Sequence, residues 1–226
     1  MNNNDGYIVS IWKRPDWTSN DIVKYLKPFI RPLKVGHAGT LDPFAEGVLV
    51  LCTGKMTKQV STVMDSEKEY LVDIKCGKRT DTLDSTGEVT AIKECKPLET
   101  QKITKVLNLF KGEIDQIPPM YSALKHKGKR LYSLARKGIE VPRQARKVLI
   151  NNIELLSHDD NSIRIKVLCG KGTYIRSLAR DIGHKLDTEA YVQNLTRNRV
   201  GCFDKKASIS AEDFKIWLLS QRHIQN

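Results

Sequence analysis

The sequence predicts an α+β fold: a mixed, largely antiparallel sheet flanked by helices. Segments of strand period and of helical period follow one another irregularly, without the strict βαβ alternation of a parallel sheet. No Gly-rich first turn marks a doubly wound nucleotide-binding fold. At 226 residues, 40% of them hydrophobic, the chain can bury a sizeable core as one large domain or two small ones.

Taken in order, residues 7–12 read as an opening strand. Thr18 or Ser19 can cap a helix carrying Ile22, Val23, Leu26 and Phe29, which Pro32 stops. Residues 36–47 are expected as a loop and 48–52 as a buried strand; after Gly54 comes a helix with Val60, Val63 and the core methionines Met56 and Met64. Residues 69–76 alternate, with Tyr70, Val72, Ile74 and Cys76 on one face, whereas 79–87, rich in Thr, Asp and Ser, read as an exposed loop before extended residues 88–92. Ile103, Val106, Leu107 and Phe110 mark an amphipathic helix. A short helical pattern surrounds Leu131, Leu134 and Ala135, and strands follow at 148–156 and 163–169. A helix over 173–186 turns Ile175, Leu178, Ile182 and Leu186 inward. Residues 199–203 are extended, and Ser210 with Asp213 caps a final helix.

A net charge of +12 favours an anionic partner such as nucleic acid. Residues 125–147 hold nine Lys or Arg side chains and the single acid Glu140, a net +8. A merely solvated helix face would interleave Glu with Lys, so this window points to phosphate binding. The five cysteines, Cys52, Cys76, Cys95, Cys169 and Cys202, include no C-x-x-C pair and are expected as buried thiols, with no metal site. Residues 1–6 read as a short disordered lead-in with no secretory signal, and the apolar runs are too short to span a bilayer; a cytoplasmic protein is expected.

Residues 36–47 pack three glycines, His37, Asp42 and Pro43 into one segment feeding a strand, a place where a carboxylate can be held rigidly toward a ligand. By itself an Asp-Pro pair is more often a solvated turn. The run G-H-A-G-T-L-D-P-F-A-E-G-V-L from Gly36 to Leu49 closely resembles the signature of the TruB pseudouridine synthases. Residues 65–70 resemble the family's D-x-x-K-x-Y strand, and 77–84 its G-x-x-T-D-T-x-D loop. Residues 118–132 resemble its P-x-x-Y-S-A-x-K insertion, 170–177 its K-G-T-Y-I-R motif, and 195–203 its L-x-R-x-x-x-G-x-F segment.

That resemblance implies a single pseudouridine synthase catalytic domain over 1–226, with an RNA-binding insertion at about 119–147 and no C-terminal PUA domain. It implies isomerisation of the uridine at position 55 in the T-loop of tRNA, by base flipping and without a cofactor. Asp42 would act at the ribose, either attacking C1′ or removing a sugar proton. Tyr70 would stack on the flipped base and assist its deprotonation. Arg176 would pair with Asp42 and orient it. Tyr174 and Leu195 would wall the pocket, and His37 would open the T-loop without acid–base duty. Lys125, Lys129, Arg130, Arg136 and Lys137 would meet the RNA backbone. Either Lys13 or Arg14 takes the place of a family lysine, because Lys13-Arg14-Pro15-Asp16 lacks the family's glycine turn. The expected partner is the T-arm of tRNA, with a monomeric enzyme, no obligatory protein partner and no membrane. The competing readings are a non-catalytic RNA-binding module and a guide-RNA-dependent rRNA synthase related to dyskerin.

Overall fold

The computed structural model describes residues 5–223. Its elements begin with β1 (Ile8–Lys13), α1 (Ser19–Ile30), β2 (Val35–His37) and β3 (Glu46–Thr53). A 3₁₀ turn (Gly54–Gln59) leads into α2 (Val60–Asp65), then β4 (Lys68–Cys76), β5 (Lys78–Thr80), β6 (Val89–Ile92), α3 (Thr100–Asn108) and β7 (Gly112–Gln116). The insertion holds β8 (Lys125–His126), β9 (Lys129–Arg130) and α4 (Leu131–Ala135). The chain continues through β10 (Arg146–His158), β11 (Ser162–Cys169), α5 (Ile175–Lys185), β12 (Ala190–Val200), β13 (Phe203–Asp204) and α6 (Ala211–His223). No helix among the described residues is long and apolar enough to cross a membrane.

The chain forms two compact units, one from residues 1–70 with 195–226 and one from 71–194. In the first, β3 is the central strand: β1 and β2 pair with it antiparallel, and β12 joins it in parallel at Thr196↔Glu46 and Arg197↔Gly47. The expected mixed, largely antiparallel sheet is present. One face of β1 and β3 packs Ile11, Leu49 and Leu51 against Ile22, Leu26 and Ile30 of α1 and Phe214 and Leu218 of α6. The other sets Val48 and Val50 with Ala38, Val63 and Val200. Local chemistry supports each end. Thr18 and Asp21 form a capping box at α1, and Ser210 with Asp213 caps α6. Lys68 donates its ammonium to the Ser66 and Met64 carbonyls, closing off the end of α2.

In the second unit, β7, β10 and β11 form an antiparallel ladder on which α3 packs. The insertion has its own small core, Met120, Leu131 and Leu134, with Tyr121, Leu124 and Val141 against it.

Several expectations are corrected. Residues 36–47 are not all loop, since β2 and β3 claim both ends. The segment after Gly54 opens as a 3₁₀ turn, and Met64 is 42% exposed rather than core, because the short α2 turns only Val63 fully inward. Residues 79–87 are not simply an exposed loop: Thr80, Leu83 and Asp84 are buried, their polar groups bonded within the segment. Residues 190–198, given no strand by the pattern, belong to β12, and β7 was equally unmarked. Three cysteines are buried, but Cys95 is half-buried and Cys202 exposed. Burial, with the Cys95 thiol beside it, pushes the Cys76 thiol up to about 12, so it stays protonated. Of the expected lead-in, residues 1–4 lie outside the described residues. Asp5 and Gly6 are fixed: the Lys55 backbone N–H donates to the Asp5 carbonyl, and Gly6 lies against Thr53.

Gly47, at φ +120, is where β3 passes Arg197 of β12, and a Cβ there would stand 2.3 Å from the Arg197 carbonyl oxygen. No side chain can relieve a clash with backbone. Gly47→Ala is therefore expected to destabilise the protein by at least about 2 kcal/mol, from overpacking plus a backbone angle that alanine resists. Urea unfolding of parent and variant checks this, and equal midpoints would disprove it.

Candidate active site

Asp42 stands on the turn between β2 and β3, half-buried, and the surrounding backbone is pinned from three sides within the first unit. From β1, the Lys13 ammonium donates to the carbonyls of Pro43 (3.1 Å), Arg14 (2.8 Å) and Trp17 (2.7 Å). The Asp16 N–H also donates to the Pro43 carbonyl. From the start of α1, the Ser19 hydroxyl both accepts from the Leu41 N–H (2.9 Å) and donates to the Leu41 carbonyl (3.1 Å). From β12, the Arg197 guanidinium spreads over the carbonyls of Gly39 (3.1 Å), Thr40 (3.3 Å) and Val48 (2.8 Å). Lys13 is 0% and Arg197 1% exposed, so solvent does not compete for these bonds.

Burial pulls the Lys13 ammonium down to about 8; the Asp42 carboxylate opposes that shift and the Arg197 guanidinium adds to it. The two members of the Lys13-Arg14 pair separate completely. Arg14 lies over the Trp17 ring at the surface and pairs with Glu212. Lys13 is therefore the side chain that reaches the Asp42 loop. His37, on β2, is held below its ordinary value, chiefly by burial and secondarily by Arg197, and so is neutral at pH 7. Tyr70 at the start of β4 and Leu195 on β12 are both buried in this unit.

In the second unit, Arg176 stands on the first turn of α5. It donates to the carbonyls of Thr82 (2.8 Å) and Tyr121 (2.9 Å) and pairs with Asp84 at 3.4 Å, both side chains nearly fully buried. Asp84 is itself fastened by the hydroxyls of Thr82 (2.8 Å) and Thr86 (2.6 Å). Tyr174 sits at the cap of α5, where the buried Gln116 amide accepts from its N–H (2.8 Å) and donates to its carbonyl (3.1 Å). The insertion leaves Lys125, Lys129, Arg130, Arg136 and Lys137 exposed. Arg130 and Arg136 lie over the Tyr132 ring at 5.8 and 5.6 Å.

The structure thus gathers Lys13, His37, Asp42, Tyr70 and Leu195 in one unit and Tyr174, Arg176 and the insertion cations in the other. The reading of the sequence missed four supporting side chains: Arg197, Asp84, Gln116 and Ser19. Arg197 was findable, standing two residues after Leu195 on the same face of a strand. Asp84 lay in the T-D-T-x-D segment, masked by the loop-like composition.

The α+β scaffold presents the Asp42 carboxylate on a loop held by two buried cations, an arrangement that keeps one acid in a fixed place. The chain belongs to the TruB pseudouridylate synthase family: residues 27–175 match the TruB family pseudouridylate synthase N-terminal domain. Residues 176–225 match the tRNA pseudouridylate synthase B C-terminal domain. It is 48% identical over 206 residues to the tRNA pseudouridine synthase B of Clostridium tetani, covering 91% of this chain and 71% of that protein. With the one from Phocaeicola vulgatus identity is 40% over 227 residues, covering 98% and 97%. Among solved structures, a Cbf5-Nop10-Gar1 complex matches with TM-score 0.76 at 28% identity, over 100% of this chain and 58% of that one. An H/ACA RNP bound to a substrate RNA containing 2'-deoxyuridine shares the fold, with TM-score 0.72 at 24% identity over 99% and 56%. This chain spans less than three fifths of the length of those two.

The Lys13 environment sets a pH dependence. Unfolded, its amine titrates near 10.5 and folded near 8, so between those values the unfolded chain binds more protons and stability rises with pH. Relative to Lys13→Met, the parent should gain about 2 kcal/mol from pH 7 to pH 10. Paired urea titrations at the two pH values read the difference, and a constant gap between parent and variant would rule the titration out.

Proposed function

We propose that this protein converts a uridine of tRNA, the one at position 55 in the T-loop, to pseudouridine. The observation that carries the reading is the fastening of the Asp42 loop by Lys13, Arg197 and Ser19, which holds one carboxylate in a fixed place. The names of relatives that match nearly the whole chain supply the substrate class. The reaction breaks the N1–C1′ bond, turns the base and forms a C5–C1′ bond; the C5 proton leaves and N1 gains one. Atoms and oxidation state are conserved, so the chemistry calls for no cofactor.

In this reading Asp42 acts at ribose C1′ or C2′. Tyr70 stacks on the flipped base and assists loss of the C5 proton, while Tyr174 and Leu195 wall the pocket. Arg176 orients Asp42 and is itself kept in one rotamer by Asp84. Neutral His37 takes up space in the opened loop. The exposed cations of the insertion bind the T-arm backbone, and the enzyme works as a monomer in the cytoplasm, without an obligatory protein partner.

Asp42→Asn separates an enzyme from a binding module. The amide keeps the shape and loses the negative charge, so pseudouridine formation should fall by several powers of ten while tRNA affinity stays within a few-fold. Single-turnover tritium release from C5-labelled uridine in tRNA, beside a binding titration, measures both. Near-parental turnover would sink the catalytic assignment of Asp42.

A second test concerns the insertion. Reversing Lys129, Arg130, Arg136 and Lys137 to Glu should weaken tRNA binding by several kcal/mol and lower the slope of log K against log salt by about three, because each lost phosphate contact no longer releases a counterion. A filter-binding titration that kept the parental slope would place the RNA elsewhere.

A further inference from the structure

A groove of about 490 Å³ opens at the C-terminal end of α1, where Lys27, Arg31 and Lys34 surround Val23, Leu33 and Val35. No acidic residue lines it, and no carboxylate among the described residues pairs with Lys27 or Lys34. Cations in the last turn of a helix are ordinary, since they complement the carbonyl end of its dipole, and Lys27 meets that description. The dipole effect fades beyond the last turn, and Lys34 lies four residues past Ile30, so helix stability does not explain it. Lys27 and Arg31 are also like charges at i,i+4, an arrangement that weakens a helix by a few tenths of a kcal/mol. The helix dipole therefore accounts for Lys27 but not for Lys34 beside it, which an external anion would complement.

The groove has a fixed relation to the Asp42 loop. The Lys34 carbonyl accepts from the Gly54 N–H, and the next residues run straight into β2, paired with β3 at Val35↔Thr53, Gly36↔Cys52 and His37↔Leu51. At about 3.3 Å per strand residue, Lys34 stands about 10 Å from His37 along this one rigid segment.

We propose that this groove is a second RNA-backbone site, in which Lys27 and Lys34 contact phosphates of the strand that continues past His37. The inference rests on the proposed RNA substrate and adds to it a contact outside the insertion. The aliphatic floor carries no aromatic ring to stack a base and no side-chain amide to read a base edge, so the contact is insensitive to sequence.

The test is the double variant Lys27→Glu/Lys34→Glu in the full chain, titrated with a T-arm stem-loop RNA between 50 and 200 mM salt. Lys105→Glu/Lys111→Glu, exposed cations of the second unit, serves as the charge-matched control. The groove variant should bind at least tenfold more weakly at low salt and lose about two from the salt slope, with kcat at saturating RNA kept and KM raised. The control should bind like the parent. Parental affinity and slope in the groove variant overturn the proposal, as does an equal loss in the control, which would reduce the effect to net charge. Lys27→Ala/Lys34→Ala, expected to show a smaller loss of the same kind, guards against misfolding of the reversed variant; parental slope there overturns the proposal too. Pseudouridine formation by the parent on the same RNA is read separately, so a failure of the groove and a failure of the proposed reaction give different results.

Discussion

Two buried cations hold the loop that carries Asp42, and much of the first unit is arranged around them. Taking an ammonium and a guanidinium out of water costs several kcal/mol each unless dipoles or charges replace the lost hydration. Here six backbone carbonyls do so, three for Lys13 and three for Arg197, with the Asp42 carboxylate as an additional favourable charge for Lys13. The carbonyls of Gly39, Thr40, Pro43 and Val48 belong to the loop and the strand it feeds. The same bonds that satisfy the cations therefore fix the loop. Gly47 must lack a side chain because β12 approaches closely enough there to bring Arg197 to its carbonyls. The parallel pairing of β12 with β3 lies at the point where this clamp is made.

The second unit uses related chemistry with a different balance. Arg176 has a formal counter-charge in Asp84, and the Thr82 and Thr86 hydroxyls fasten that carboxylate in turn. Gln116, a neutral amide, performs the equivalent task for Tyr174 by bonding both its N–H and its carbonyl. A buried amide that satisfies two backbone groups avoids the desolvation cost of an ion. The start of α5, which carries both Tyr174 and Arg176, is thus set by side chains from β7 and from the segment after β5.

This division explains what could be read from the sequence. Elements whose periodicity reports burial directly were legible: the alternation of β4, Ile22 and Leu26 on the inner face of α1, and the capping pair Ser210–Asp213, whereas Val23 and Phe29 are only half-buried and Ile30 takes the inner place. The motif carrying Asp42 was legible through its resemblance to a family. What stayed hidden was polar burial. The 79–87 segment has the composition of a solvated loop, yet its Thr and Asp side chains bond one another and Arg176. β12 carries Arg197 and Arg199 among its apolar positions, which breaks the alternation a pattern search needs. Composition measures how polar a segment is; it does not say whether water or protein satisfies it.

The positive charge accordingly falls into two populations. Lys13, Arg176 and Arg197 are buried and directed at carbonyls or at a carboxylate, so their energy goes into the geometry of the site. Lys125, Lys129, Arg130, Arg136 and Lys137, with Lys27 and Lys34, are exposed and add to a field that only an external anion can discharge. Salt screens the second population and leaves the first nearly untouched, because a Debye length of about 8 Å describes ions in solvent and not groups sealed beneath a loop. On the proposed reading, raising ionic strength should then loosen the grip on RNA while the arrangement around Asp42 persists. On that reading, the cations that bind and the cations that position differ in burial.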